Sequence, residues 1–229
     1  MNEMRFINDT VVVDRTHRTP LLVLRAGLPR CTTSSIQAAL ESQHIGLAPC
    51  MHFAHIAPNA DRGDILLAAL RENDKAHRHK LLNELFDGFQ ASTDFPGSML
   101  MDDLMDMYPD AKIVLNKRPG GGHRWSSLSR CSPGEALLST TLIMERCQSK
   151  LGLTADELLT AKHYDAHNAW IHAEAAKRGR DVLEFEPQDG WETLCAFWAR
   201  GTNRRAVSRR NDASEVRMIK RILGIAEVP

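Results

Sequence analysis

Four hydroxyl side chains and a guanidinium group are concentrated in residues 30–35, which read Arg-Cys-Thr-Thr-Ser-Ser. Such groups can bind phosphate or sulfate beside a helix start, where unpaired backbone N–H groups carry a partial positive charge. The alternative is that the hydroxyls only cap the helix. The candidate anion ligands are Arg30, Cys31, Thr32, Thr33, Ser34 and Ser35.

The residues on either side predict the elements that would hold this anion site. Residues 21–24 form an apolar run, which is typical of a strand buried on both faces, and Gly27 and Pro29 break it. An amphipathic pattern over 36–40 then predicts a helix. The anion site is therefore expected in a turn between a buried strand and a helix.

Two side chains elsewhere in the chain are candidates for a general base. Histidine titrates close to neutral pH, so His52 is the first candidate and Asp94 is the second. His55 lies nearby and stays open as an alternative to His52. Asp94 could instead stabilise the turn that contains Pro96.

A second cationic position follows another apolar run. Residues 113–115 read Ile-Val-Leu and predict a buried strand, and Arg118 falls at its C-terminal end. Ligands collect at this end of the strands in open parallel sheets, and a guanidinium can bind two phosphate oxygens at once. The alternative for Arg118 is an ion pair on the surface.

The remaining periodicities predict mainly helices. His163 and His167 are four residues apart, a spacing that permits metal binding, but no third ligand accompanies them. We therefore expect packed or solvated histidines and no metal site. Strands are predicted at 8–14, which could pair with 21–26 as a hairpin, and at 181–187. Helices are predicted at 63–72, 76–89, 102–107, 134–150, 155–179, 190–197 and 213–225.

The composition is that of an ordinary globular protein. The 229 residues are 43% hydrophobic and 25% charged, which suits one domain over 1–229. Lys plus Arg and Asp plus Glu number 29 each, so no net field attracts nucleic acid or an anionic membrane. The five cysteines show no Cys-x-x-Cys spacing, and no apolar stretch approaches ~20 residues. We expect a cytoplasmic protein without nucleic-acid or membrane partners.

Several separated segments together resemble the sulfotransferase family, within the P-loop nucleotide-binding folds. The resemblance implies an α/β three-layer sandwich, in which helices flank a central, mainly parallel sheet. It also implies that the co-substrate is 3′-phosphoadenosine 5′-phosphosulfate (PAPS), bound without a metal. The matching segments are Pro-Arg-Cys-Thr-Thr-Ser-Ser-Ile at 29–36, Pro-Cys-Met-His at 49–52, Asp-Phe-Pro at 94–96, Tyr-Pro-Asp-Ala-Lys at 108–112 and Gly-Trp-Glu-Thr-Leu-Cys-Ala-Phe at 190–197.

The resemblance implies a role for each group of candidate residues. Arg30 and the N–H groups near Thr33 and Ser34 would stabilise the transferred sulfuryl group and the bridging oxygen. Arg118 would hold the 3′-phosphate, together with Ser126 or Ser127. A basic stretch at 200–210 could close over that phosphate, or it could be a solvated turn.

Two functions follow from these assignments. The first is transfer of a sulfuryl group from PAPS to a small hydroxylated or amine acceptor. The second is a divergent protein of the same fold that catalyses another step on a small metabolite, such as a cyclisation or elimination, or only binds it. Thr32 stands where the family loop has glycine, which favours the second function. The lysine of a GxxxxGK[ST] loop is absent, which disfavours a nucleoside triphosphatase.

Overall fold

A computed structural model describes most of the chain between residues 20 and 197. The described residues are 20–28, 33–42, 45–56, 59–117, 120, 137–158, 160–186, 189, 193–194 and 196–197. The predicted strand at 8–14, its hairpin, the basic stretch at 200–210 and the helix at 213–225 lie outside these ranges.

Five short strands form one sheet within the described ranges, and every pairing between them is parallel. Along the sheet the order is β2-β3-β1-β4-β5, so β1 lies at the centre. The predicted parallel α/β fold is therefore confirmed. The strands are β1 (Val23–Arg25), β2 (Cys50–Met51), β3 (Ala91–Ser92), β4 (Lys112–Asn116) and β5 (Val182–Phe185).

Helices follow most of the strands, and their ends have local causes. α2 begins three residues earlier than predicted because the Asn59 side chain accepts a hydrogen bond from the Arg62 N–H. α3 ends three residues earlier than predicted, just before Gly88, whose φ of 84° is left-handed. The helices are α1 (Thr33–Glu41), α2 (Ala60–Arg71), α3 (Lys75–Phe86), α4 (Met101–Met107), α5 (Leu137–Leu151) and α6 (Ala161–Lys177).

The predicted helix over 155–179 is wrong in one respect, because two elements occupy this range. The capping box formed by Thr154 and Glu157 starts only a 3₁₀ turn, Ala155–Glu157. Leu158 then adopts an extended backbone, with ψ at 147°, and α6 begins at Ala161. The sequence pattern marked a real helix start, but the backbone leaves the helical conformation after one turn.

Helices cover both faces of the sheet. Alternate strand residues point to opposite faces, so Val23 and Val114 pack with Ile36 and Leu40 of α1. Leu24, Ile113 and Leu115 pack on the other face with residues of α2, α3, α4 and α6, namely Leu66, Leu82, Leu85, Phe86, Leu104, Met105, Ile171 and Ala175. The layers are therefore helix, sheet, helix.

Two further features of the described residues concern the thiols and the hydrophobicity of the helices. Cys50 and Cys147 are buried free thiols, and burial raises the pKa of the Cys147 thiol to about 11. The other three cysteines lie outside the described ranges. Among the helices that the structure describes, none has the length and hydrophobicity needed to cross a membrane.

Candidate functional site

Polar side chains gather where the parallel strands end. β1 ends at Arg25, β4 ends at Asn116, and His52 directly follows β2. Asp94 follows β3 by two residues. Because β2, β3, β1 and β4 are neighbours in this order, these four positions come together at one edge of the sheet.

The two candidate bases, His52 and Asp94, face each other across this edge. Nε2 of His52 lies 3.3 Å from Oδ2 of Asp94. Their side chains are 14% and 10% exposed, so both groups are largely removed from water. The pairing of Met51 with Ser92 in the β2–β3 register explains the contact, since it brings the two strand ends level.

Burial sets the protonation state of the imidazole. Burial lowers the pKa of His52 from its ordinary value, the charge of Arg25 lowers the pKa further, and the charge of Asp94 opposes both. His52 is therefore neutral at neutral pH and can accept a proton. Asp94 would stabilise the imidazolium that results.

His55 supports the turn that carries His52. Its Nδ1 accepts a hydrogen bond of 3.2 Å from the backbone N–H of His52. Burial lowers the pKa of His55, which favours the neutral ring that this bond needs. The Nδ1 atom of His55 is therefore already engaged by the backbone of His52.

The Asp94 carboxylate is incompletely bonded by the residues that the structure describes. Its Oδ1 is buried without a hydrogen-bond partner among them, and so are the hydroxyl oxygens of Ser92 and Ser98. The predicted turn at Pro96 uses the backbone carbonyl of Asp94, which accepts a bond of 3.3 Å from the Ser98 N–H. The carboxylate itself therefore has bonding capacity left for other groups.

The turn after β1 packs very tightly against the end of β4. A Cβ atom at Gly27 would lie 2.5 Å from the carbonyl oxygen of Asn116, so only glycine fits there. The Ala26 N–H donates a bond of 2.8 Å to the Val114 carbonyl. The segments that lead to residues 29–32 and 118–119 therefore start from neighbouring points of the same edge.

Only part of the predicted anion site can be placed. Thr33 is the first residue of α1, and Ser34 and Ser35 belong to its first turn. Ile36 and Leu40 of this helix pack in the same cluster as Val23 of β1. Six other predicted ligands lie outside the described ranges, namely Arg30, Cys31, Thr32, Arg118, Ser126 and Ser127.

Two buried side chains of this region were missed by the sequence reasoning. Arg25 has no exposed surface, and its guanidinium donates a bond of 3.0 Å to the Leu28 carbonyl. His167 is 1% exposed and donates from Nε2 to the Ala26 carbonyl at 2.8 Å. The sequence did hold a signal for Arg25, because a charged residue directly after an apolar strand and before Gly27 is expected to be bonded. It held none for His167, because this contact joins residues that are 141 positions apart.

Of the two alternatives for the α6 histidines, packed or solvated, the structure shows that both rings are packed. His163 has no exposed surface, and His167 is bonded to the β1 turn. Burial lowers the pKa of each imidazole to about 4, so both rings are neutral at neutral pH. Within the residues that the structure describes, no three groups are arranged to hold a metal ion.

Comparisons with known proteins agree with this architecture. The family model described as "Sulfotransferase domain" matches residues 22–132 and 123–216. The chain is also similar to "Ava biosynthesis cluster protein M" of Aspergillus versicolor, with 24% identity over 202 residues. That alignment covers 76% of this chain and 75% of the relative. The family match spans most of the sequence, and the chain therefore belongs to the sulfotransferase-domain family.

Proposed function

We propose that this protein transfers a sulfuryl group from PAPS to a small hydroxylated or amine acceptor. One observation carries the proposal: a neutral, largely buried imidazole faces a carboxylate at 3.3 Å on the sheet edge from which the β1 turn leads to α1. A base and an anion-binding helix start are the two components that such a transfer needs. The family assignment supports this choice of reaction.

His52 has the position and the protonation state of the base. The Asp94 carboxylate opposite Nε2 favours the tautomer that carries its proton there, so Nδ1 would take the proton of the acceptor. The acceptor oxygen or nitrogen then forms a bond to sulfur while the bond between sulfur and the bridging oxygen breaks. The electron pair of that bond leaves with the nucleotide, 3′-phosphoadenosine 5′-phosphate.

The charges near the site suit a dianionic ligand. PAPS supplies the activated sulfuryl group, and the α1 start at Thr33 supplies N–H groups for it. The buried Arg25 charge offsets the negative charge of Asp94, which would otherwise repel an anion. At Gly27 there is no space for a Cβ atom, and the glycine lets the backbone of this turn approach the backbone of Asn116 closely. We assign the sulfuryl end to Arg30 and the 3′-phosphate to Arg118 with Ser126 or Ser127.

Thermal unfolding with added 3′-phosphoadenosine 5′-phosphate tests this proposal. A ligand at a hundred times its dissociation constant stabilises the native state by about 2.7 kcal/mol, which raises the melting temperature by several degrees. Adenosine at the same concentration is the control, because it lacks both phosphates. A melting temperature that millimolar nucleotide leaves unchanged would refute a PAPS site.

A second candidate is a proton-transfer step on a small metabolite, such as a cyclisation or elimination, without sulfate. Two observations favour it. The imidazole–carboxylate pair serves proton transfer by itself, and the similar Aspergillus protein is named after a biosynthesis cluster. Thr32 in the loop would also restrict a close approach of phosphate. The nucleotide experiment separates the two candidates, because only the first requires the phosphates to bind.

A further inference from the structure

Residues 26–28 form the root of the loop that joins β1 to α1, and their backbone is fixed from several sides. The Ala26 N–H donates to the Val114 carbonyl, and the Ala26 carbonyl accepts from Nε2 of His167. Two residues later, the Leu28 carbonyl accepts from the Arg25 guanidinium. A turn normally keeps such groups in water, whereas here both carbonyls are bonded to fully buried side chains.

The direction of these carbonyls has a consequence for anion binding. A carbonyl oxygen carries partial negative charge, so one that points at a bound phosphate or sulfate weakens its binding. His167 lies on α6, whose Ile171 and Ala175 pack in the cluster on the sheet face opposite to α1. In a planar trans peptide the C=O and the next N–H point in opposite directions. The bond to His167 therefore turns the Gly27 N–H away from α6.

We propose that His167 and Arg25 are positioning residues of the loop root: His167 holds the Ala26 carbonyl away from the anion at the α1 start, and Arg25 fixes the Leu28 carbonyl in the same turn. Neither touches the ligand, because both are fully buried. The consequence for nucleotide affinity rests on the proposed function, whereas the fixing of the loop root does not. Because a backbone carbonyl can only accept, this bond selects the tautomer of the neutral His167 ring that carries its proton on Nε2.

Substitutions of His167 can separate the bond from the packing. In His167→Gln the amide group can still donate to the Ala26 carbonyl, whereas His167→Leu removes the donor and keeps an apolar side chain. His163→Leu is the matched control, because it removes an equally buried imidazole one helical turn earlier on α6. Arg25→Met removes the donor to the Leu28 carbonyl. If that variant does not fold, the comparison of His167→Gln with His167→Leu still tests the proposal.

The first readout is amide hydrogen exchange of residues 20–28 without any nucleotide. We expect the Ala26 amide to exchange about tenfold faster in His167→Leu, as for one lost buried hydrogen bond, and within about threefold of wild type in His167→Gln. Exchange at the wild-type rate in His167→Leu would overturn the proposal. Equal acceleration in His163→Leu would overturn it as well, because helix packing would then be the cause.

The second readout is the dissociation constant of 3′-phosphoadenosine 5′-phosphate, with adenosine as the phosphate-free comparison. We expect His167→Leu to weaken the nucleotide about tenfold and adenosine not at all, and His167→Gln to restore the affinity. Equal nucleotide affinity in wild type and His167→Leu would overturn the role in anion binding. Absence of nucleotide binding in the wild type would refute the proposed function, and the exchange rates would still decide whether His167 fixes the loop root.

Discussion

Two buried aspartates of this protein, Asp94 and Asp103, are bonded in opposite ways. Asp103 is 2% exposed, and each of its oxygens accepts several bonds. Arg78 and His79 lie 2.9 and 3.0 Å from Oδ1, and Arg146 lies 2.9 Å from Oδ2. Asp94 is 7% exposed, and within the described ranges its carboxylate faces the His52 imidazole, whose Nε2 lies 3.3 Å from Oδ2.

The partners explain why one carboxylate is saturated with bonds and the other keeps bonding capacity within the described part of the chain. Burial by itself would raise the pKa of Asp103, but the hydrogen bond and charge of Arg78 and the charge of Arg146 lower it overall. These contacts join α3, α4 and α5 through a saturated carboxylate. The buried Oδ1 of Asp94 has no such partner in the described part of the chain. A carboxylate with unused bonding capacity beside a neutral imidazole can respond to a proton or a ligand.

The largest expected effect comes from Asp103→Ala. The substitution leaves the charges of Arg78 and Arg146 without their carboxylate in a largely buried place, which should lower the free energy of unfolding by about 3–5 kcal/mol. Urea unfolding measures this change, and Asp94→Ala is the comparison, with an expected loss below about 1 kcal/mol. Similar losses in the two variants would contradict the distinction between the two aspartates.

The next largest effect is on turnover in His52→Gln. Without the base, conversion of PAPS in the presence of a probe phenol such as 4-nitrophenol should slow by at least about a hundredfold. The affinity for nucleotide and the free energy of unfolding should stay close to the wild-type values. His172→Gln is the control, because this exposed imidazole pairs with Glu184 on β5. Unchanged turnover in His52→Gln would remove His52 as the base.

Asp94→Asn should have a smaller effect, and its pH dependence identifies the role of the carboxylate. Asp94 raises the pKa of His52 against the stronger effect of burial, so its loss lowers this pKa further. In the proposed mechanism the neutral imidazole is the active form, and the acidic limb of the pH–rate profile should therefore move to lower pH. Turnover at neutral pH should fall about tenfold, because the imidazolium forms without its counter-charge. An acidic limb that stays at the wild-type pH would contradict the pairing of His52 with Asp94. Asp110→Asn is the control, because it removes a carboxylate from the surface.

The smallest effect concerns stability below neutral pH. Burial lowers the pKa of His163 to about 4 in the folded protein, so the unfolded chain binds more protons between that value and about 6.5. Stability therefore falls as the pH decreases through this range. His163→Gln should flatten the dependence by about 1 kcal/mol per pH unit, measured by urea unfolding at several pH values. An unchanged slope would show that His163 is not buried as a neutral ring.

The sequence predicted the parts of this fold that local patterns encode. The apolar run at 113–115 became β4, and the periodicity at 102–107 became α4. The hydroxyls after Gly27 correctly marked the start of α1 at Thr33. Such elements are specified by residues close together in the chain, and turn residues bound them clearly.

The long-range contacts of the site could not be predicted in the same way. His52 and Asp94 were separate candidates, and only the neighbouring positions of β2 and β3 bring them within 3.3 Å. The bond between His167 and Ala26 depends on how α6 packs against the sheet. The break at Leu158 was missed because the capping box pattern is the same for one turn as for a long helix.

A titration of the His52 imidazole by NMR, with and without 3′-phosphoadenosine 5′-phosphate, tests the central claim most directly. The His52→Gln variant assigns the resonance. Without nucleotide we expect a pKa below the usual histidine value of about 6.5. With saturating nucleotide the pKa should rise, because a nearby anion stabilises the imidazolium. A pKa that the bound nucleotide leaves unchanged would contradict an anion site beside this base.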